Sequence, residues 1–198
     1  HSMDLRYGQY EPQGHFQNWR ASLELDYTSM YQPREFSSFD LQLSGHATLK
    51  NYLSLGLWSN FRPLERHDFY EPRVEGREFI RPRSFYLSSW MSTDYRKTLA
   101  FDLRGSYGKG FGTSYKLKVG PRIRVNHKAI FQYDFQYDMD AGQRGYVTDY
   151  YPENDTIVFG KRNKETYTNN ISGSYVFDNK SWITLNVRHY WSKIDYSR

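Results

Sequence analysis

The sequence contains no cysteine. Disulfide bonds, thiolate metal sites and cysteine nucleophiles are therefore excluded, while the cellular compartment stays open. The sequence also has no apolar run near the ~18 residues that a membrane-spanning helix needs, so it predicts no such helix. Spanning by β-strands is not excluded, because alternating strands do not raise the average hydropathy. Hydrophobic residues make up only 38% of the chain, against about 45–50% in ordinary globular domains.

Aromatic residues are abundant, at 19% of the chain, and they favour β-strands. The 27 basic and 22 acidic residues are mixed along the sequence and give a net charge of +5. There is no basic block and no nucleic-acid recognition motif, so we expect no nucleic-acid partner. A chain of 198 residues predicts one domain. We assign that domain to residues 4–198 and interpret residues 1–3 as a cloning remnant.

The stretch FQYDFQYDMD, residues 131–140, alternates strictly between apolar or aromatic and polar side chains. A period of two predicts a β-strand with two unlike faces. The same parity recurs along the chain and predicts an all-β, antiparallel, up-and-down meander of nine strands, with residues 4–10 as a possible tenth. The other apolar odd positions are Trp19, Ala21, Leu23, Leu25, Tyr27, Phe39, Leu41, Leu43, Ala47, Leu49, Leu53, Leu55, Leu57, Phe61, Phe85, Leu87, Met91, Leu99, Phe101, Leu103, Tyr107, Tyr115, Leu117, Val119, Ile123, Ile171, Tyr175, Phe177, Ile183, Leu185, Val187 and Trp191.

The turns must preserve this parity, because facing residues of an antiparallel pair share a face. Three-residue loops do so, and each candidate contains an Asn or Asp that can adopt the left-handed conformation. The candidates are 50–52, 94–96, 126–128 and 178–180. Longer connections are predicted at 28–35, 63–83, 108–112 and 141–164. Alternation of short and long loops is typical of an outer-membrane β-barrel, so we predict such a barrel or a fragment of one.

In a barrel the odd face contacts lipid and the even face lines the lumen. We expect Lys116 to face Asp138, Lys118 to face Gln136, and Asp102 to lie near Lys118 or Arg122. The predicted aromatic girdle at the lipid boundary is Tyr27, Tyr107, Tyr115, Tyr137, Tyr167 and Trp191. The predicted polar residues of the lumen are Arg20, Asp40, His46, Asp102, Arg104, Lys116, Lys118, Arg122, Asp134 and Asp138.

The two ends of the predicted meander do not fit a complete barrel. The last strand would end on the external side, and the final residues IDYSR lack the terminal aromatic that usually closes such chains. We therefore expect an excerpt of a larger barrel, truncated at its C-terminus. Because an open sheet cannot remain in lipid as it stands, we also expect the chain alone to cover its apolar face with protein, for example by self-association.

The last third of the sequence resembles a known family. The similar segments are a run from Phe159 to Thr166, a strand containing Asn170 and Tyr175, and the pentapeptide RHYWS at 188–192, together with QYDFQYDMDAGQRGYV before them. They resemble the C-terminal domain of large Bacteroidota outer-membrane proteins that carry an N-terminal module similar to family-9 carbohydrate-binding modules. The resemblance implies an uncharacterised β-barrel domain in the bacterial outer membrane. The carbohydrate module is absent here, so no sugar-binding residue is implied.

No catalytic, metal or cofactor site emerges from the sequence. The six histidines show no HExxH spacing and no pair on one strand face. Asp40, Ser44 and His46 share a strand face, but same-strand neighbours lie roughly 7 Å apart, too far for a hydrogen-bonded triad. We therefore expect a structural or transport-associated membrane domain without catalysis of its own. A relation to glycans is part of this expectation.

Two other function classes stay open. The first is a soluble β-sheet module that binds glycan or protein through the arginine-rich and aromatic loop at 61–83. The second is a barrel-borne hydrolase that uses His46 with Asp40 or a serine.

Overall fold

The computed structural model describes residues 1–32, 34–151 and 156–197, and of residues 148–151 and 197 it describes the backbone alone. Every regular element in this part of the chain is a β-strand. None of the described residues forms a helix long and apolar enough to cross a membrane. The strands are β1 (Ser2–Gln9), β2 (Phe16–Ser29), β3 (Phe36–Leu49), β4 (Ser54–Arg62), β5 (Arg66–Asp68), β6 (Phe79–Arg81), β7 (Ser84–Ser92), β8 (Leu99–Lys109), β9 (Thr113–Arg124), β10 (Ala129–Tyr151), β11 (Thr156–Val176) and β12 (Trp182–Ser197).

Ten of these strands form one antiparallel sheet in the order β1-β2-β3-β4-β7-β8-β9-β10-β11-β12. The short strands β5 and β6 pair only with each other, inside the connection between β4 and β7. In the described part of the chain the edge strands β1 and β12 are not paired with each other, so the sheet is not closed into a barrel. The predicted all-β meander, including the tenth strand near the N-terminus, is confirmed.

Cross-strand pairing keeps the predicted parity. Lys116 pairs with Asp138 and Lys118 pairs with Gln136, as expected. Asp102 pairs with Gly120, which stands between Lys118 and Arg122 in the sequence, so the expected neighbourhood is also confirmed. Apart from Phe16–Leu49 and Ser29–Phe36 at the two ends of β2, odd residues pair with odd ones from β1 to β9. Apolar side chains therefore collect on one face of the sheet and polar side chains on the other.

Three of the four predicted three-residue turns are confirmed. The backbone N–H groups of Leu49, Val125 and Phe177 donate to carbonyl groups across the 50–52, 126–128 and 178–180 turns. In the first turn the left-handed residue is Tyr52, with φ 63°, whereas Asn51 uses its side-chain oxygen to accept a hydrogen bond from the Leu53 N–H at 3.1 Å. An Asn side chain in this position mimics a backbone turn.

The predicted turn at 94–96 is wrong. Thr93 pairs with Phe101, because the Thr93 N–H donates to the Phe101 carbonyl at 3.0 Å. The longer loop is held by its own polar groups: Asp94 accepts hydrogen bonds from the Arg96 backbone and guanidinium. Side-chain bonding of this kind competes with a tight hairpin, and the periodicity alone could not reveal it.

Two predicted long connections are also wrong. The one at 108–112 is a tight loop, since Lys109 pairs with Thr113. The one predicted at 141–164 is mainly strand, because β10 continues to Tyr151 and β11 begins at Thr156. The register shifts between Asp140 and Gln143, where Gly142 has φ 71°. The bulge adds one residue to β10, so odd residues of β10 pair with even residues of β11 beyond it. The odd-apolar alternation therefore does not predict this part of β10.

The sheet shelters its polar face and exposes its apolar face. On the even face Ala100 is 1% exposed and Asn60 7%, whereas on the odd face Leu57 is 42% and Phe131 52% exposed. This is the reverse of a soluble sheet, which buries its apolar side chains.

Gly56 lies on the even face directly beneath the indole ring of Trp90. A Cβ at this glycine would stand 2.1 Å from Trp90 Nε1. The His46 ring packs against the same indole at 5.5 Å between centroids. A glycine in a strand often marks such a close approach, and here it lets a large ring lie flat across the sheltered face.

We expect Gly56→Ala to lower the free energy of unfolding by about 1–3 kcal/mol, because the added methyl group must displace the indole. Gly105→Ala is the matched control, since a Cβ at Gly105 meets nothing within 4 Å and alanine is the better strand residue. Urea denaturation followed by circular dichroism measures both. Equal stability of the two variants would contradict the position of Trp90.

Candidate functional site

The even face carries all ten polar residues that were predicted to line a lumen; seven of them are half-buried, and Arg20, Arg104 and Lys116 are exposed. Its ion pairs run between neighbouring strands: Lys118 Nζ lies 3.2 Å from Asp134 Oδ1, and Lys116 Nζ lies 3.7 Å from Asp138 Oδ1. Gly120 makes room for Asp134, whose Oδ1 lies 2.5 Å from where a Cβ would stand. Opposite charges thus compensate each other across this half of the face.

Asp40 lies at the other side of the face and accepts hydrogen bonds from Arg62 Nε at 2.5 Å and from Asn60 Nδ2 at 3.1 Å. Ser44 hydrogen-bonds Ser22 at 2.7 Å between the two Oγ atoms, and the His46 ring contacts Trp90. The structure therefore gives Asp40, Ser44 and His46 separate partners and does not bring them together as a triad. Among the described residues, no three His, Asp or Glu side chains are placed to hold a metal ion.

Asp102 has partners that the sequence did not indicate. Its carboxylate accepts hydrogen bonds from Ser92 Oγ at 2.5 Å and from the hydroxyl group of Tyr95. The Arg122 guanidinium lies 4.9 Å from the centroid of the Tyr95 ring, within the range of a cation–π contact. Tyr95 was assigned to a tight turn, and only the longer loop turns its ring towards the even face.

The segment 63–83, which we call the capping loop, is held by internal contacts between polar side chains. Arg81 lies 3.1 Å from Asp68 and 3.0 Å from Glu71, and His67 lies 2.7 Å from Glu78. Burial acts to raise the pKa of Asp68. The backbone N–H groups of Glu71 and Tyr70 and the Arg81 guanidinium outweigh it and hold this pKa below its usual value. The ionised Asp68 carboxylate is therefore part of what orders the capping loop.

The capping loop touches the sheet on two distant sides. On one side the Ser37 hydroxyl donates to the His67 carbonyl at 3.2 Å. On the other side Glu71 accepts a hydrogen bond from the Tyr146 N–H at 3.2 Å, and the Phe79 ring stacks on Phe159 at 4.1 Å. The loop thus links β3 to β10 and β11, and it covers one end of the even face. The contacts of the capping loop with β10 and β11 could not be predicted from the sequence, because the alternation predicts a loop at Tyr146 and Phe159.

Two cavities lie where the capping loop meets the even face. The first, of about 670 Å³, is lined by Asp26, Ser38, Asp40, Gln42, Trp58, Asn60, Arg62, Arg66 and Tyr86. The second, of about 500 Å³, has Arg81 of the capping loop and the glycine-rich 108–112 turn in its wall. Asn60, Arg62 and Tyr86 border both cavities, so the two spaces adjoin.

The predicted girdle residues lie along an oblique line on the odd face, and their rings form two separate groups of contacts. Tyr107 contacts Tyr115 at 5.2 Å, and Tyr167 contacts both Tyr137 at 4.9 Å and Trp191 at 5.4 Å. Tyr27 is directly opposite Phe39. The aromatic line therefore reaches from β2 to β12 near the end of the sheet that the capping loop covers.

We expect Asp68→Asn to lower the hydrogen-exchange protection factors of the Tyr70 and Glu71 amides, because an amide cannot form the ion pair with Arg81. Since the folded pKa of Asp68 is lowered, its contribution is complete above the unfolded value of about 3.9 and is lost as the pH falls through the folded value. Glu75→Gln, an exposed change in the same loop, is the control. Unchanged protection in Asp68→Asn would contradict this role.

Comparison with known proteins gives one family. A family model described as a domain of unknown function, DUF5916, matches residues 1–198. No curated protein and no solved structure matches the chain. Because the family model covers the whole sequence, the chain belongs to the DUF5916 family of uncharacterised domains.

Proposed function

We propose that this domain is part of a β-barrel of the bacterial outer membrane, with its odd face against lipid and its even face lining a water-filled interior. Its role would be structural or associated with transport, with no catalysis of its own. The observation that carries the proposal is the exposed apolar face, which extends across the sheet while the polar face is sheltered.

The exposed apolar side chains are adjacent in space. Leu99, Ile123 and Phe131 face one another across β8, β9 and β10 and are each 46–52% exposed, although these strands lie inside the sheet. Soluble monomers rarely expose a contiguous apolar patch larger than about 300–600 Å². A face of this extent requires an apolar partner, and lipid is the partner that a barrel exterior contacts.

The aromatic line supports lipid as that partner. Cross-strand pairing puts Phe61 opposite Phe85, Tyr107 opposite Tyr115, and Tyr137 opposite Tyr167. Along the strand direction, the Tyr107–Tyr115 pair lies two residues further from the capped end than Phe61–Phe85. The Tyr137–Tyr167 pair lies two residues further again. Between β2 and β12 the line descends by about six residues, or ~20 Å, over ~38 Å across the sheet, an inclination of roughly 27°.

An oblique line is expected where tilted strands cross a membrane boundary. Strands of outer-membrane barrels tilt by about 35–45° from the membrane normal, with aromatic girdles at both interfaces. A boundary parallel to the membrane therefore cuts across the hydrogen-bonded rows of the sheet. A core that merely packs aromatic residues has no reason to follow such an oblique line.

The polar face fits a wet interior. Asp40, Asp134 and Asp138 are paired with cations of neighbouring strands at the distances given above, and two cavities open beside the capping loop. A loop that folds over one end of a barrel interior narrows the opening, so the capping loop is a candidate constriction. We include in this proposal a glycan or protein ligand at the capping loop.

The edge strands place a requirement on the proposal. Unpaired backbone groups are too costly in hydrocarbon, so β1 and β12 must be closed by further strands in the membrane, from a longer chain or from a second copy. The resemblance to outer-membrane proteins of Bacteroidota supports the bacterial outer membrane as the location.

Cysteine accessibility tests the two faces, and the absence of native cysteine leaves no background. In the full-length membrane protein reconstituted into lipid bilayers, we expect Tyr133→Cys to react with a lipid-soluble maleimide and to resist a water-soluble one. Asp134→Cys, the adjacent position on the opposite face, should show the reverse and serves as the matched control.

The rival is a soluble sheet whose odd face is covered by protein. In that case the chain purifies without detergent and Tyr133→Cys is protected from both reagents. Reaction of Tyr133→Cys and Asp134→Cys with the water-soluble reagent at equal rates would likewise overturn the proposal.

A further inference from the structure

The cavity between β2, β3, β4, β7 and the capping loop, which we call the Trp58 cavity, has a wall suited to a small polar ligand. Its nine lining residues all have even numbers, and eight of them project from the sheet while Arg66 comes from the capping loop. Trp58 and Tyr86 form an edge-to-face pair with 5.4 Å between ring centroids. Its volume of about 670 Å³ is comparable to the ~300–1,000 Å³ of small-molecule sites, and the cavity is wide open to solvent.

The carboxylates in this wall are placed at an electrostatic cost. Asp26 pairs directly with Asp40 across β2 and β3, and like charges in that position repel. Asp40 is compensated by Arg62 and Asn60. Within the described residues Asp26 has no hydrogen bond or ion pair from its side chain, so its charge has no protein partner.

Arg66 is the complementary case. Arg66 borders the same cavity, and its guanidinium forms no ion pair or hydrogen bond with any described residue. The neighbouring arginines differ, since Arg62 is bound to Asp40 and Arg81 to Asp68 and Glu71. The Trp58 cavity therefore presents one carboxylate and one guanidinium that are both uncompensated, beside an aromatic pair.

We propose that the Trp58 cavity binds a zwitterion, an amino acid or a short peptide. The ligand ammonium group binds Asp26, and its carboxylate binds the planar guanidinium of Arg66, which can accept it in bidentate geometry. An apolar ligand side chain packs on Trp58 and Tyr86. This inference goes beyond the membrane proposal, because the even face meets water whether the odd face contacts lipid or protein.

A neutral sugar is the main competing ligand. It could use the same rings together with Gln42 and Asn60. It would leave Asp26 and Arg66 uncompensated, however, whereas a zwitterion satisfies both charges at once. The two ligand classes are therefore separable by the charges at the ends of the ligand.

Isothermal titration calorimetry of the purified chain tests this with four probes: alanyl-phenylalanine, its N-acetylated form, its C-terminal amide, and maltose. We expect alanyl-phenylalanine to bind and each blocked form to bind at least about tenfold more weakly, which corresponds to about 1.4 kcal/mol. Equal affinity for the blocked forms, binding of maltose instead, or binding of none of the probes would each overturn the proposal.

Two variants assign the ends of the ligand. Asp26→Asn should weaken alanyl-phenylalanine about tenfold and abolish the discrimination against the acetylated form, while Arg66→Gln should do the same for the amide. The controls are Glu24→Gln, on the same face of β2, and Arg83→Gln, at the end of the capping loop. Neither control residue borders the Trp58 cavity, so both variants should bind like the unmodified chain.

Circular dichroism checks that each variant keeps its strands. Loss of binding in the controls, or retained discrimination in Asp26→Asn and Arg66→Gln, would contradict the assignment. The result is independent of cysteine accessibility: dipeptide binding with a water-accessible Tyr133→Cys would remove the membrane proposal and leave the zwitterion site in place.

Discussion

Strand pairing in which odd residues face odd residues is the constraint on which this structure depends. Each hairpin must preserve parity, and an error of one residue would move a whole strand's apolar set to the polar face. The three confirmed turns meet this condition with side chains: Asn51, Asn126 and Asp178 each accept backbone hydrogen bonds inside the turn. The turn after β7 reaches the same parity through a longer loop. Several local geometries thus serve one global requirement.

Once parity is kept, the two faces have different physical problems. The odd face needs only to be apolar, and many combinations of large apolar residues would satisfy that condition. The even face must compensate many charges, which requires definite geometry. Glycines supply part of it, because Gly56 and Gly120 let Trp90 and Asp134 lie across the sheet. The sheltered face is therefore specified by pairs of residues on neighbouring strands.

The capping loop shows how the longest connections acquire structure. Ion pairs around Arg81 order it internally, and its two anchors are far apart in the sheet. The β10–β11 hairpin extends beyond the other strands and brings Phe159 to the Phe79 ring. The loop contributes Arg66 and Arg81 to the walls of the two cavities beside the even face. The capping loop and the extended β10–β11 hairpin pack together as one unit. The ion pairs of the capping loop lie at the same end of the sheet as the Trp58 cavity.

The sequence by itself determined the strand parity, most of the turns and the residues of each face, because a period of two is a local property of the backbone. It also determined cross-strand pairs such as Lys116 with Asp138, which follow from a turn of known length. Only the tertiary structure decided the partners of Asp102, the course of the capping loop and the Trp58 cavity. These depend on contacts such as Glu71 with Tyr146, far apart in the chain, and on a bulge at Gly142 that reverses the parity. No local pattern encodes them, since they arise where separate strands and loops meet in space.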